Sequence, residues 1–358
     1  MNIVIDCRMI DSSGIGVYLR ESLPCLLKTA NTFLLLGDKR RLSAYSVNGS
    51  IRISQCNIKV FSLKEILFFP KDIRKEINRY DIYFTPYFNI PCGIDIPVFS
   101  TIHDIIFPDM PELTSKAGLF LRMYFYKRAE RLSKNLFTVS YFSKSRIEHH
   151  LGTKTPVIVT YSAIKPFYKT ALPEKVHKTK TILFIGNIKK HKGLWLLLDA
   201  FRTARREGLD YRLVIAGERE RFRSSDKTVF DMPDNDDSGA IEFSGAVSDE
   251  KLKALLIEAS LLVQPSLYEG FGLPPLEAMA MGTAVLVSDI PVFREIYEGF
   301  PVHYFRSGDP ADLKKRLLEL LYRKEPERIR LKPELLNKYH FEKTAGIIIN
   351  TFKTFRAA

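Results

Sequence analysis

Short apolar runs alternate with longer stretches of helical spacing along the whole chain. In the first half the runs IVID (Ile3 to Asp6), TFLLLG (Thr32 to Gly37), IKVF (Ile58 to Phe61), DIYFTP (Asp81 to Pro86), PVFSTI (Pro97 to Ile102) and LFTVS (Leu136 to Ser140) read as strands. The series restarts with TILFIG (Thr181 to Gly186), YRLVIAG (Tyr211 to Gly217), AIEFSG (Ala240 to Gly245), SLLVQPS (Ser260 to Ser266) and TAVLVS (Thr283 to Ser288). Apolar runs bounded by turn residues and separated by helical patterns are the signature of parallel sheets covered by helices. The expectation is α/β, with two doubly wound sheets. The segment Pro156 to Lys180 shifts from strand-like to Pro- and Lys-rich composition, which puts the linker around Pro166 to Thr179. The expected domains are 1–168, joined by a closing helix within 340–358, and 169–339.

Length supports two domains, since 358 residues is long for one core when a domain usually holds about 100 to 200. Apolar residues at 46% and charged ones at 27% describe a folded globular chain. No apolar run approaches the roughly 18 residues of a membrane span. MNIVIDCRMID at the N-terminus reads as a buried strand carrying an acid, not as a signal segment. Cys7, Cys25, Cys56 and Cys92 lack metal-ligand or disulfide spacing and read as reduced thiols of a cytoplasmic protein.

Charge changes the picture. Lys and Arg number 54 against 41 acids, a formal net charge of +13, which attracts nucleic acid, a membrane surface or phosphorylated small molecules. The excess clusters at Lys116, Arg122, Lys127, Arg128, Arg131, Lys134, Lys144 and Arg146, in a segment that includes LFLRMYFYKRAERLSKN. A basic, aromatic amphipathic helix fits an interfacial position, and Phe120, Leu121, Tyr124 and Phe125 fit equally well as its core face. Both readings stay open.

In doubly wound sheets ligands sit at the carboxyl ends of strands. Three ends stand out: Gly14-Ile15-Gly16 before a helix, His103-Asp104, and Gly186, Asn187, Lys192 and Gly193. The richest stretch is PSLYEGFGLPPLEAMAMGTAVLVS, Pro265 to Ser288. Its chain turns through Gly270 and Gly272, which allow close approach of a ligand, and enters a helix at Pro274 or Pro275, where proline costs no hydrogen bond. The N–H groups of Gly272, Leu273 and Leu276 at that helix end suit a phosphate or diphosphate. Glu277, in the first helical turns, can accept the vicinal hydroxyls of a ribose, and Glu269 can face what lies beyond the phosphate. Taken alone, the two glutamates fit a buried structural loop as well.

The whole string resembles the Glu-x7-Glu signature of retaining glycosyltransferases with the GT-B fold, the large family 4 type that includes bacterial mannosyl- and glucosyltransferases. DSSGIGVYL, TIHDIIFP, VSYFSKSRI, FIGNIKKHKGL, SGAVSDEKLKALLIEASLLVQPSLYEGFGLPPLEAMAMG and the closing FEKTA helix extend the resemblance over nearly the full chain. It implies two Rossmann-like domains facing a cleft, with the acceptor on the first, the donor on the second, and the helix Phe341 to Phe355 crossing back to the first. Carried over by position, Glu269 meets the donor sugar and Glu277 the ribose. Gly270 and the N–H groups of Phe271, Gly272 and Leu273 meet sugar and diphosphate, and Lys192 neutralises the diphosphate. Gly16 brings the first domain's backbone to the donor, and His103 lies by the transferred sugar with Asp104 beside it. Asn187 stands among the donor-binding residues where many members have Arg, which shifts charge neutralisation to Lys192 and the helix end. Ser162-Ala163 replaces a frequent Asn-Gly turn.

The resemblance, not the residues themselves, implies transfer of a hexose, of mannose or glucose type, from a GDP- or UDP-linked sugar to a saccharide. The resemblance points to a lipid-linked acceptor of surface polysaccharide synthesis, such as O-antigen or capsule, met at the inner face of the membrane. No cofactor is expected. Asp234-Asn235-Asp236 matches a metal-binding Asp-x-Asp, yet FDMPDNDDSGA reads as a solvated loop. Retention is implied by the resemblance alone, and same-face attack and double displacement both remain open. A GT-B phosphorylase or a nucleotide-sugar epimerase is the enzymatic alternative. A dinucleotide-dependent oxidoreductase would require a third glycine after Gly14-Ile15-Gly16, and a nucleic-acid-binding protein would require base-stacking aromatics or a recognised motif. Neither is present in the sequence.

Overall fold

The structure, a computed structural model, describes residues 1–46, 49–168, 177–217, 239–323 and 326–357. The chain forms two compact units, Met1–Ala163 with His340–Ala358, and Ile164–Tyr339. In the first unit, strands β1 (Asn2–Asp6), β2 (Thr32–Gly37), β3 (Ile51–Gln55), β4 (Ile82–Thr85), β5 (Val98–Thr101), β6 (Ser133–Thr138) and β7 (Val157–Val159) form one sheet. In the second, β8 (Thr179–Ile185), β9 (Arg212–Ala216), β10 (Ile241–Gly245), β11 (Ala259–Gln264), β12 (Ala284–Ser288) and β13 (His303–Phe305) form another. The orders are β3-β2-β1-β4-β5-β6-β7 and β10-β9-β8-β11-β12-β13, and the named pairings are all parallel. Strand order therefore reverses between β1 and β4 in one sheet and between β8 and β11 in the other. Those reversals open the crevices in which α/β proteins bind ligands.

Burial explains why the strands read as continuous apolar runs. In β4, β5, β11 and β12 every residue is buried, as required of parallel strands covered on both faces. The expected strand Ile58 to Phe61 is not one. The third strand is Ile51–Gln55, which pairs with β2 from Phe33↔Ile51 to Gly37↔Gln55. Phe61 has φ of 60°, a left-handed conformation incompatible with a strand. The division between units falls between Ala163 and Ile164, ahead of the break expected after residue 168. Lys165 bonds to Asp249 at 3.0 Å and the Phe167 carbonyl to Lys253 at 3.3 Å, so this stretch already packs with the second unit.

The helix Phe341–Ala357 returns to the first unit. Ala345, Ile348, Ile349 and Phe352 form its apolar stripe, at the spacing that puts side chains on one helical face. They join Leu19, Leu23 and Leu26 of the helix Ser13–Leu27 and the sheet residues Ile3, Phe84, Phe99 and Phe137 in one core. The Phe352 ring lies 4.7 Å from that of Phe99, and Thr344 Oγ1 donates to the Thr160 carbonyl at 2.9 Å. Among the described residues no helix is long and apolar enough to cross a membrane.

Candidate functional site

In the second unit the loops after β8 and β11 meet at the strand-order reversal. The loop after β8 passes Gly186 and Asn187, makes a short turn over Lys190–Lys192 and enters the helix Leu194–Arg206. The Asn187 carbonyl accepts the Lys189 N–H at 2.9 Å ahead of that turn, and the Lys189 carbonyl accepts the Lys192 N–H at 2.9 Å, which closes it. The loop after β11 leads through Pro265 to Gly272 into the helix Leu273–Ala280. The Leu267 N–H donates to the His191 carbonyl at 2.7 Å and ties the two loops together.

That tie brings Lys192 onto Glu269. Lys192 Nζ lies 2.7 and 2.8 Å from the two carboxylate oxygens of Glu269. Ser266 Oγ donates to Glu269 Oε1 at 2.7 Å and accepts from Gln264 Nε2 at 3.0 Å, while Ser288 Oγ holds the Ser266 carbonyl. The carboxylate is thus aimed by a buried relay, Gln264 to Ser266, and neutralised by a half-buried lysine. The cation is the more accessible partner, at 21% side-chain exposure against 9% for the acid.

Gly272 caps the helix with φ of 89°, where a Cβ would sit 2.5 Å from the Phe293 ring. Only glycine fits that turn. Tyr297 donates its hydroxyl to the Gly272 carbonyl, and the Phe271 ring packs edge-on against Tyr339 at 5.2 Å. Leu273 opens the helix, the prolines 274 and 275 occupy its first turn, and Glu277 lies buried one turn in. Gly270 sits between Glu269 and the cap. Burial, and then the charge of Glu269, push the Tyr297 phenol well above its usual range. Burial, and then Glu277, raise that of Tyr168. His191 is pushed down to about 2 by burial and then by Lys192 and Lys189, so it stays neutral and leaves the site's positive charge to the lysines.

The structure therefore brings together Lys192, Glu269, Gly270, Phe271, Gly272, Leu273 and Glu277, with Asn187 at the base of the same loop. Sequence reading missed Gln264 and Ser266, although both lie in the same string as Glu269. Tyr168 and Tyr297 reach the site from distant parts of the chain and carry no local signal.

Gly16, His103 and Asp104 belong to the first unit. A Cβ on Gly16 would stand 2.6 Å from the Ile10 carbonyl, so the start of its helix presses on the preceding loop. His103 Nε2 lies 2.8 Å from the Pro86 carbonyl and its ring meets Tyr18 edge-on at 5.0 Å. A carbonyl partner requires a proton on Nε2, which leaves Nδ1 as the acceptor. Burial lowers the His103 pKa to about 4, so the ring is neutral at physiological pH. Asp104 Oδ1 accepts the Ile106 N–H at 3.2 Å at the start of the helix Ile106–Asp109.

Where strand order reverses in this unit, a polar network occupies the ends of β1 and β4. Asp6 accepts from Arg8 Nη2 at 2.6 Å, Tyr83 at 2.7 Å and Tyr87 at 2.8 Å. Arg8 also reaches Glu65 at 2.6 Å. Sequence reading did not foresee this network.

Among the described residues no group of three or more His, Cys, Asp and Glu is placed to hold a metal ion. Asp234 and Asp236 lie outside the described residues.

Residues 170–333 match the family described as Glycosyl transferases group 1. The O-antigen chain mannosyltransferase RfbU of Salmonella typhimurium is 33% identical over 205 residues, covering 55% of this chain and 53% of its own. The O-antigen chain mannosyltransferase B of Escherichia coli is 30% identical over 227 residues, covering 60% and 58%. The chain thus spans little more than half the length of these relatives. The crystal structure of Anabaena Alr3699/HepE in complex with UDP and glucose matches 99% of this chain and 100% of its own, with a TM-score of 0.70 and 15% identity. At that identity the likeness is one of fold: the GT-B fold, with two Rossmann-like sheets and a last helix that contacts the helix Ser13–Leu27.

Proposed function

We propose that the chain, whose residues 170–333 match the glycosyl transferases group 1 family, is a retaining glycosyltransferase. It moves a hexose from a GDP- or UDP-linked sugar to a saccharide acceptor carried on a lipid, at the inner face of the membrane. The relatives named as O-antigen mannosyltransferases favour mannose as that hexose and surface polysaccharide as the product.

The observation that carries the reading is the Lys192–Glu269 pair, held between two tied loops and next to the glycine-capped end of the helix Leu273–Ala280. A diphosphate competes for Lys192 and for the N–H groups at that helix end. Lys192 then turns from carboxylate to phosphate, and Glu269 is freed to accept hydroxyls of the donor sugar. Glu277 takes the ribose. In the first unit, His103 offers Nδ1 to a sugar hydroxyl, held in the right tautomer by the Pro86 carbonyl.

As the bond from the anomeric carbon to the diphosphate breaks, its electron pair passes to the leaving oxygen and the carbon becomes cation-like. Lys192 and the helix end meet that oxygen more strongly as its charge grows, which is what lowers a barrier. The acceptor hydroxyl forms the new bond and gives up its proton. On the same-face route the departing phosphate takes it.

The test is to incubate the chain with GDP-mannose and with UDP-glucose, each with a lipid-linked saccharide acceptor. The expected result is hexose on the acceptor with the anomeric configuration of the donor. Acceptor-independent formation of an isomeric sugar nucleotide would identify an epimerase. A requirement for inorganic phosphate would identify a phosphorylase.

A further inference from the structure

Two stretches of the first unit leave large apolar side chains in solvent. Residues 61–68 expose Phe61, Leu63, Leu67 and Phe68, at 46, 73, 59 and 72%. The helix Lys116–Leu132 buries Tyr126 and Ala129 and exposes Phe120, Leu121 and Tyr124, at 77, 54 and 49%. Of the two readings the sequence left open for this helix, these three side chains fit the interfacial one.

The exposure of residues 61–68 is not looseness. Glu65, inside the helix Leu63–Leu67, points inward and is fully buried. It accepts from Arg8 at 2.6 Å, from the Phe61 N–H at 2.8 Å and from Asn89 Nδ2. Phe61 is held in a left-handed conformation that side chains disfavour, with its ring against Tyr87 at 5.8 Å and Phe88 at 5.3 Å. The apolar residues beside Glu65 are therefore presented outward on a pinned frame.

The same frame joins the two stretches. Phe88 packs on Tyr126 at 4.6 Å, Arg128 Nη1 donates to the Ile90 carbonyl at 2.6 Å, and the Cys92 N–H reaches the Glu65 carbonyl at 3.3 Å. Segment 87–92 thus lies between them and touches both.

Charge identifies the partner. Lys59, Lys64 and Lys71 are exposed around the first stretch, and Lys116, Lys127 and Arg131 around the second. The acids within the stretches are turned away, Glu65 into the network and Glu130 onto Thr153 at 2.9 Å. Asp72 and Glu112, both exposed, lie just outside. Arg122 and Arg128 are spent inside the unit, on Phe107 and Thr114 and on the Ile90 carbonyl. Two copies of so cationic a rim would repel each other, whereas anionic headgroups complement it.

We infer that residues 61–68 and the outer face of the helix Lys116–Leu132 together dock the protein on an anionic bilayer, with Leu63, Leu67 and Phe68 as its apolar anchor. The inference rests on the proposal that the acceptor is lipid-borne, and supplies the surface that would bring the chain to it. Apolar burial and attraction to anionic lipid add in such interfacial binding.

The test is sedimentation of the full chain with vesicles of phosphatidylcholine alone and of phosphatidylcholine mixed with phosphatidylglycerol, at low and high salt. The wild type should bind the mixed vesicles and keep a salt-resistant fraction. Leu63→Gln, Leu67→Gln and Phe68→Gln combined should weaken binding at least about tenfold and abolish that fraction, with melting temperature unchanged because all three are exposed. Lys127→Glu with Arg131→Glu should remove the salt-sensitive part. A triple glutamine variant that binds like wild type overturns the anchor and leaves the basic surface standing. A wild type that ignores both vesicle types overturns the whole docking surface. A wild-type dimer that the triple variant turns into a monomer makes the occupant a second copy and also overturns it. Transfer assayed in detergent separates these results from the proposed activity: a chain that transfers hexose yet ignores vesicles contradicts the docking surface alone.

Discussion

The two sheets share a strand order and differ in what fills the crevice that this order creates. At the β1/β4 reversal Asp6, Arg8 and Glu65 are closed on one another, with side-chain exposures of 0, 3 and 0%. Two tyrosines complete the set. At the β8/β11 reversal the Lys192–Glu269 pair is simpler, more open and flanked by a glycine-capped helix end. A network whose charged groups are buried and paired with one another works as structure. An open pair can exchange one partner for a phosphate. Topology supplies a crevice twice, and on the proposed function side chains make the second one the donor site.

The comparison breaks most visibly at Arg8. Arg8→Met leaves the Asp6 and Glu65 carboxyls buried without a counter-charge and should cost about 3 to 5 kcal/mol of stability, read as a lowered midpoint in urea. Adding Glu65→Gln should recover part of the loss. A midpoint shift no larger than that of a surface substitution would mean that the network is not closed.

In the second unit the effect should fall on turnover instead. Lys192→Ala and Glu269→Ala should each lower the transfer rate about 10²- to 10³-fold, with far less loss of stability than Arg8→Met, since the pair is partly solvated. Equal destabilisation at both crevices would erase the distinction between them.

Much of this contrast was outside the reach of local sequence patterns. Alternating apolar runs and the proline-opened helix report on neighbours along the chain, and these placed most strands and the loop that carries Glu269. Arg8 and Glu65 are 57 residues apart, and Lys192 and Glu269 are 77 apart, so neither pairing leaves a local trace. The choice of Ile51–Gln55 over Ile58 to Phe61 was settled by pairing with β2, a non-local event. The strand His303–Phe305 is too short and polar to stand out. The helix Lys116–Leu132 carries aromatics on more than one face, so spacing alone does not say which face is buried.

A smaller effect distinguishes a half-buried histidine of the first unit. His103 titrates at about 4 in the fold against about 6.5 for a free imidazole. The unfolded chain takes up a proton that the folded one refuses, so stability falls as pH drops from 6.5 towards 4, by about 2 kcal/mol at pH 5. His103→Asn should flatten that slope in thermal melts, and the wild-type rate should show no inflection near pH 6.5 from this residue. An unchanged slope would mean that His103 is not held neutral by burial.

The smallest expected effect is that of excess EDTA, which should leave most of the transfer rate, because Lys192 and the helix end already supply positive charge to the diphosphate. Complete loss, restored by Mg²⁺ or Mn²⁺, would turn attention to Asp234 and Asp236.

The claim that the β8/β11 crevice is the nucleotide site is tested most directly by calorimetric titration of GDP and UDP into the wild type, Glu277→Ala and Glu269→Ala. Glu277→Ala should weaken binding at least about tenfold, as expected for loss of charged hydrogen bonds to the ribose. Glu269→Ala should bind the free nucleoside diphosphate as well as wild type or more tightly, because Lys192 is released from its carboxylate. The same affinity in all three proteins, or binding lost with Glu269 and kept without Glu277, would contradict it.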